Sequence, residues 1–137
     1  MRADLVLDAS VAAKFFFNED GSDKAEALLT SGAIVAAPDL LLLELASIAA
    51  TKVRRGLAPE ATARDAVNAI VDLIDEVAPA RDLRVRAYIF ARDDGFSAYD
   101  GSYLALADRL GVPVVTADNR LVERARSAGV GRLVRPL

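Results

Sequence analysis

The chain has 137 residues, the size of one ordinary domain, and its 53% hydrophobic and 27% charged residues supply both a core and a solvated surface, which excludes disorder. Cysteine and histidine are both absent, which removes disulfides, thiolate nucleophiles, zinc held by Cys or His, imidazole acid–base catalysis and the Ser-His-Asp triad. The net charge of −3 gives no global basic field, so chemistry here must use carboxylates, hydroxyls, Lys, Arg, backbone or a bound ion.

Asp4–Asp8 is a short apolar run ending in a carboxylate and reads as a buried strand. Ser10 follows as a candidate N-cap for a helix over Val11–Phe17. After the break at Gly21-Ser22 a helix fits 22–29, and 33–36 reads as a second short strand. Pro38-Asp39 opens an unusually apolar helix over 40–55, stopped by Gly56, and Pro59 opens another to about residue 74. A third short strand fits 76–77. Helices over 81–92 and 97–110 follow, separated by Asp94-Gly95, then a strand over 113–116, a helix over 119–128 and a last strand over 132–134. Short apolar strands alternating with helices predict a three-layer α/β/α sandwich around a parallel sheet of four or five strands. No linker or repeat divides the chain, so residues 1–137 read as a single domain. The uncharged stretches are too short to span a bilayer, and Asp4 and Asp8 interrupt any signal-peptide core. No membrane association and a cytoplasmic location are therefore expected.

In a parallel sheet the binding crevice lies outside the carboxyl ends of the strands, and that rule selects four acids. Asp8 ends the first strand and Asp118 follows the 113–116 strand, so the two meet if those strands are neighbours; each also fits as a helix cap. Glu44 is the only charge between Asp39 and Lys52. On so apolar a helix it is either partly buried, needing an Arg, a Lys or a metal ion, or part of a narrow polar stripe with Ser47 and Thr51. Asp100 falls in the first turn of its helix, where the dipole alone favours a negative charge; small residues at 101, 102 and 105 would let that helix approach the sheet. As a set, four carboxylates without His or Cys suit Mg²⁺ or Mn²⁺, and a site with no protein nucleophile implies attack by activated water, most naturally on a phosphodiester.

Charge is distributed unevenly. Residues 1–80 carry 7 Lys/Arg against 13 Asp/Glu, residues 81–137 carry 10 against 7, and 119–137 hold five arginines against Glu123 alone. This basic edge fits a polyanion bound beside a metal site, or simply a solvated helix face.

The segments Leu7–Phe15 (LDASVAAKF), the lone Glu44, Tyr99–Ala107 (YDGSYLALA) and Val115–Asp118 (VTAD) resemble the successive motifs of PIN-domain ribonucleases, and most of all the VapC toxins of bacterial VapBC toxin–antitoxin pairs. The match runs in order along the whole chain. The resemblance implies a Mg²⁺-dependent endoribonuclease (Mn²⁺ able to substitute) with an acidic quartet at Asp8, Glu44, Asp100 and Asp118 and supporting hydroxyls at Ser10 and Thr116. It implies Asp8 and Asp100 as direct metal ligands, Asp118 as a ligand or one water removed, and Glu44 as the residue that orients or deprotonates the attacking water. Where the family pattern has a further acid, this chain has Asn119. A tRNA or ribosomal RNA substrate, a VapB-type antitoxin and a homodimer are further implications; apolar surface on 40–50 and 103–110 would serve the dimer. The alternatives are a catalytically silent PIN-like interaction module and a Mg²⁺-dependent phospho-acceptor or phosphatase. The latter lacks its marks: no Lys occurs after Lys52, and the first strand carries Asp8-Ala9-Ser10 rather than Asp-x-Asp.

Overall fold

The structure, a computed structural model, describes residues 1–137. Five strands form one sheet: β1 (Leu5–Leu7), β2 (Val35–Pro38), β3 (Glu76–Ala78), β4 (Val114–Thr116) and β5 (Val134–Pro136). The order is β3-β2-β1-β4-β5, and every pairing is parallel. All residues of β1, β2 and β4 are buried. Because successive side chains point to opposite faces, a strand buried throughout is covered on both, which is the three-layer arrangement the apolar runs predict. The edges are blunted: Val77 of β3 and Arg135 and Pro136 of β5 face solvent.

Seven helices connect the strands: α1 (Ala9–Ala12), α2 (Ser22–Thr30), α3 (Leu40–Arg54), α4 (Glu60–Leu73), α5 (Ala80–Asp94), α6 (Ala98–Leu110) and α7 (Asn119–Ser127). Helix α6 lies on β1, β2 and β4, α3 packs on β2 with α4 against it, and α7 covers β4 and β5. One contiguous core of 35 buried residues joins these layers.

Three expectations change. The helix expected over 11–17 is a single α-turn followed by a 3₁₀ turn over Ala13–Phe15, and its cap is Asp8, not Ser10. The last strand lies at 134–136, with Gly131–Leu133 forming a 3₁₀ turn. Gly101 admits close approach to α5 rather than to the sheet: a Cβ there would come 2.7 Å from the Ala87 carbonyl oxygen.

Beyond β1 the chain builds outward through β2 and β3, then crosses back to place β4 on the other side of β1. That reversal opens a crevice at the carboxyl ends of β1 and β4. Register pairs Leu7 with Val115, so the residues that follow each strand emerge side by side.

Candidate functional site

Asp8 and Asp118 leave the sheet at this crevice as the caps of α1 and α7. Asp8 Oδ1 accepts the Ala9 N–H at 2.9 Å, while Oδ2 accepts both the Ser10 and the Thr116 hydroxyls at 2.7 Å. Ser10 Oγ in turn accepts the Ala117 N–H, and Thr116 Oγ1 accepts the Asp118 N–H, each at 3.0 Å. Two hydroxyls thus stitch the end of β1 to the turn after β4 and fix Asp8 in orientation. Asp118 Oδ1 accepts the Arg120 N–H at 2.9 Å, leaving Oδ2 outside the cap. Capping and lining the crevice are therefore compatible for both aspartates: one oxygen serves the helix while the carboxylate remains at the strand end.

Glu44 reaches the same crevice from α3 and Asp100 from the first turn of α6, where Ser97 caps the helix by accepting the Asp100 N–H at 3.0 Å. All four acids line one cleft of about 320 Å³, together with Ala9, Ser10, Ser47 and Ile48. No Arg or Lys pairs with Glu44. The Tyr103 hydroxyl, one turn along α6 from Asp100, donates to Glu44 Oε1 at 2.6 Å. Tyr103 is 1% exposed. It stands within the Tyr99–Ala107 segment, where sequence alone does not single it out; its spacing from Asp100 is the available signal.

The acids feel one another. Burial pushes the Glu44 carboxyl above its ordinary range, the charges of Asp8 and Asp100 push it further, and the Tyr103 hydrogen bond pulls it back. Burial likewise raises Asp100, reinforced by Asp8 and Asp118 and opposed by Arg124 and Ser97. Tyr103 is driven far above a phenol's usual value, by burial first and then by Glu44 and Asp8, so it remains a donor.

As placed, no three of the acids converge into a ready-made metal-ligand set. The chemistry of the donors nonetheless fits a hard divalent cation: four carboxylates, two neighbouring hydroxyls, no nitrogen or sulfur, and mutual repulsion that such an ion would relieve.

Comparison with known proteins agrees with this architecture. The PIN domain family model matches residues 5–127. Ribonuclease VapC3 from Pyrobaculum aerophilum is 29% identical over 122 residues, spanning 88% of this chain and 93% of that protein. The crystal structure of PAE2754, also from Pyrobaculum aerophilum, superposes with a TM-score of 0.72 at 19% identity, covering 98% of this chain and 92% of that one, a likeness of fold.

Proposed function

This chain belongs to the PIN-domain family, and from that premise we propose that it is a divalent-metal-dependent endoribonuclease, a single nuclease domain over residues 1–137 and the toxin of a type II toxin–antitoxin module. The observation that carries the reading is the meeting of Asp8, Glu44, Asp100 and Asp118, brought from four separate elements to one cleft at the strand-order reversal. The similarity to a protein named as a VapC ribonuclease supports it.

In this reading Asp8 and Asp100 hold the ion, Mg²⁺ with Mn²⁺ as a substitute, and Asp118 does so directly or through one water. A bound divalent cation there supplies charge neutralisation at the phosphate and acidifies water. Ser10 and Thr116 hold Asp8 in one orientation. Glu44 takes the proton of the water that attacks phosphorus, or itself helps hold the ion, and the Tyr103 hydroxyl fixes Glu44 by one oxygen while the other stays free. Water attacking in line leaves the RNA 2′-hydroxyl unused, so the products carry 5′-phosphate and 3′-hydroxyl ends. With Asn119 in place of a fifth acid, four carboxylates favour one ion over two.

A tRNA or ribosomal RNA substrate, a cognate VapB-type antitoxin, a homodimer and a cytoplasmic location complete the proposal. No helix is long and apolar enough to cross a membrane. Calorimetric titration with Mg²⁺ and Mn²⁺ tests the site. Saturable binding that Asp100→Asn removes is expected. No binding in the parent chain would leave a silent module whose acids engage only a partner's Arg or Lys.

A further inference from the structure

The acidic cleft does not end at the acids. Ser47 and Ile48, which line it, also line a second depression formed with Thr51, Lys52, Arg55 and Leu57 at the C-terminal end of α3. The two form one groove along a single helix face, from Glu44 to Arg55. These are eleven residues apart, about 16 Å at the helical rise.

The far end of this groove is a prepared cationic surface. Lys14 and Lys52 share one carboxylate, Glu19, at 3.3 and 2.8 Å, so the trio keeps a net positive charge. Lys52 is further held over the Phe17 ring, 5.2 Å from its centroid. Its ammonium is thus fixed before any ligand arrives, which lowers the entropy cost of using it. Arg55 is exposed and makes no ion pair. Between the acids and these cations lie the Ser47 and Thr51 hydroxyls, and beside them half-buried Ile48 and Leu57, the latter 66% exposed.

On the opposite side of the acids, Arg124 is fixed by donating to the Gly95 carbonyl at 2.6 Å and acts on Asp100 through its charge. The acids therefore sit between two held cations, one on α3 and one on α7, in a molecule whose net charge is negative.

We infer that this groove is the track of one arm of a single-stranded RNA substrate: its backbone runs from the acidic cleft along α3, with phosphates on Lys52 and Arg55 and unpaired bases on Ile48 and Leu57, while the other arm leaves past Arg124. The inference rests on the nuclease reading and specifies its substrate. Hydroxyls followed by cations along one helix face suit a phosphodiester backbone. The exposed Leu57 and the half-buried Ile48 beside them suit bases that are free to leave a stack, which a duplex does not offer.

The test uses the full chain with Asp8→Asn, so that RNA is not cleaved, and a fluorescent mixed-sequence single-stranded RNA, with binding followed by anisotropy across a salt series. Adding Arg55→Ala and Lys52→Ala together should weaken binding about tenfold and lower the log K against log salt slope by about 1.4, at about 0.7 per single-strand phosphate contact. Arg109→Ala, at the far end of α6, is the control and should change neither. Because Lys52→Ala also frees Glu19, Arg55→Ala alone should give about half the change in slope. The same RNA annealed into a duplex should bind more weakly and ignore the α3 substitutions. If the parent binds and, with Asp8 intact, cleaves the RNA, yet both α3 variants keep its affinity and slope, the track is wrong and the nuclease reading stands. If Asp8-intact protein with Mg²⁺ neither binds nor cleaves, the nuclease reading itself falls.

Discussion

Asp8 and Asp100 carry equal weight in the proposed chemistry but different structural burdens, and substitution separates the two. Asp8 Oδ2 receives two hydroxyl protons while Oδ1 caps α1. An asparagine there keeps one acceptor oxygen and turns an NH₂ toward a donor, so Asp8→Asn should cost about 1–3 kcal/mol in denaturant unfolding. Asp100 makes no comparable set of contacts and is crowded by like charge, so Asp100→Asn should leave stability equal or higher while abolishing cleavage. A loss of stability from Asp100→Asn with activity retained would remove that assignment. The acids also set a pH dependence. Glu44 and Asp100 are raised in the folded chain, so the stability tied to their protonation is present below their ordinary values of 4.5 and 3.8 and lost as pH rises through the higher folded values. Glu19 is lowered, despite its burial, by hydrogen bonds and charge from Lys52 and Lys14, and works the other way, losing its contribution as pH falls through its folded value. As the metal-free chain is acidified from neutrality toward Glu44's ordinary value of 4.5, it should therefore gain melting temperature. Saturating Mg²⁺ should flatten that gain, as should Asp100→Asn; a flat parent profile without metal would contradict the coupling.

Among the elements, the α5–α6 pair holds Asp100 in place. Gly101 lies against the Ala87 backbone, where an added Cβ would stand 2.7 Å from the carbonyl oxygen and 3.2 Å from Cα. Neither is the end of a flexible side chain, so the helices must part. Gly101→Ala should destabilise by about 1–3 kcal/mol, read from the denaturant midpoint, and should lower activity more than an equally destabilising change remote from the cleft, because Asp100 is its neighbour. Sequence patterning located β1, β4 and the residues that follow them because short apolar runs ending in Asp8 and Asp118 have one plausible placement in a parallel sheet. It marked Glu44 because a lone charge on an apolar helix is conspicuous. It could not assign the cap of α1, since Asp8 and Ser10 are both good caps and only the neighbouring β4 turn decides that Ser10 reaches across to the Ala117 N–H. It also could not see that Tyr103 meets Glu44, because that contact spans 59 residues, nor that Gly101 faces α5, since one small residue serves a sheet or a helix equally well.

For the whole molecule, the expected dimer surface shrinks. Residues 101–107 of α6 are buried inside the protomer, so the 103–110 stretch has no apolar face left for a partner. On α3 the exposed large apolar residue is Leu43, 73% exposed, while Leu41, Leu45 and Ala49 turn inward. A homodimer would have to draw instead on Leu43 and on Tyr88 and Tyr99 beside the cleft between α5 and α6. Light scattering at micromolar concentration should give twice the protomer mass of 14.5 kDa, and Tyr88→Ser with Tyr99→Ser should shift it toward the protomer value. A parent chain that scatters as a protomer would remove the dimer.

Net charge has a consequence at the same scale. In the proposed reading a chain of net charge −3 would attract RNA only through local cations, and the acids would have to be neutralised for a phosphate to approach them, which would tie catalysis to a divalent ion. End-labelled single-stranded RNA incubated with the parent chain and with Asp100→Asn, across a Mg²⁺ series and in EDTA, tests this most directly when the ends of the fragments are identified. The account predicts cleavage by the parent that rises with Mg²⁺, stops in EDTA, is lost in Asp100→Asn and leaves 5′-phosphate and 3′-hydroxyl ends. Cleavage that persists in EDTA, or fragments ending in 2′,3′-cyclic phosphate, would contradict it.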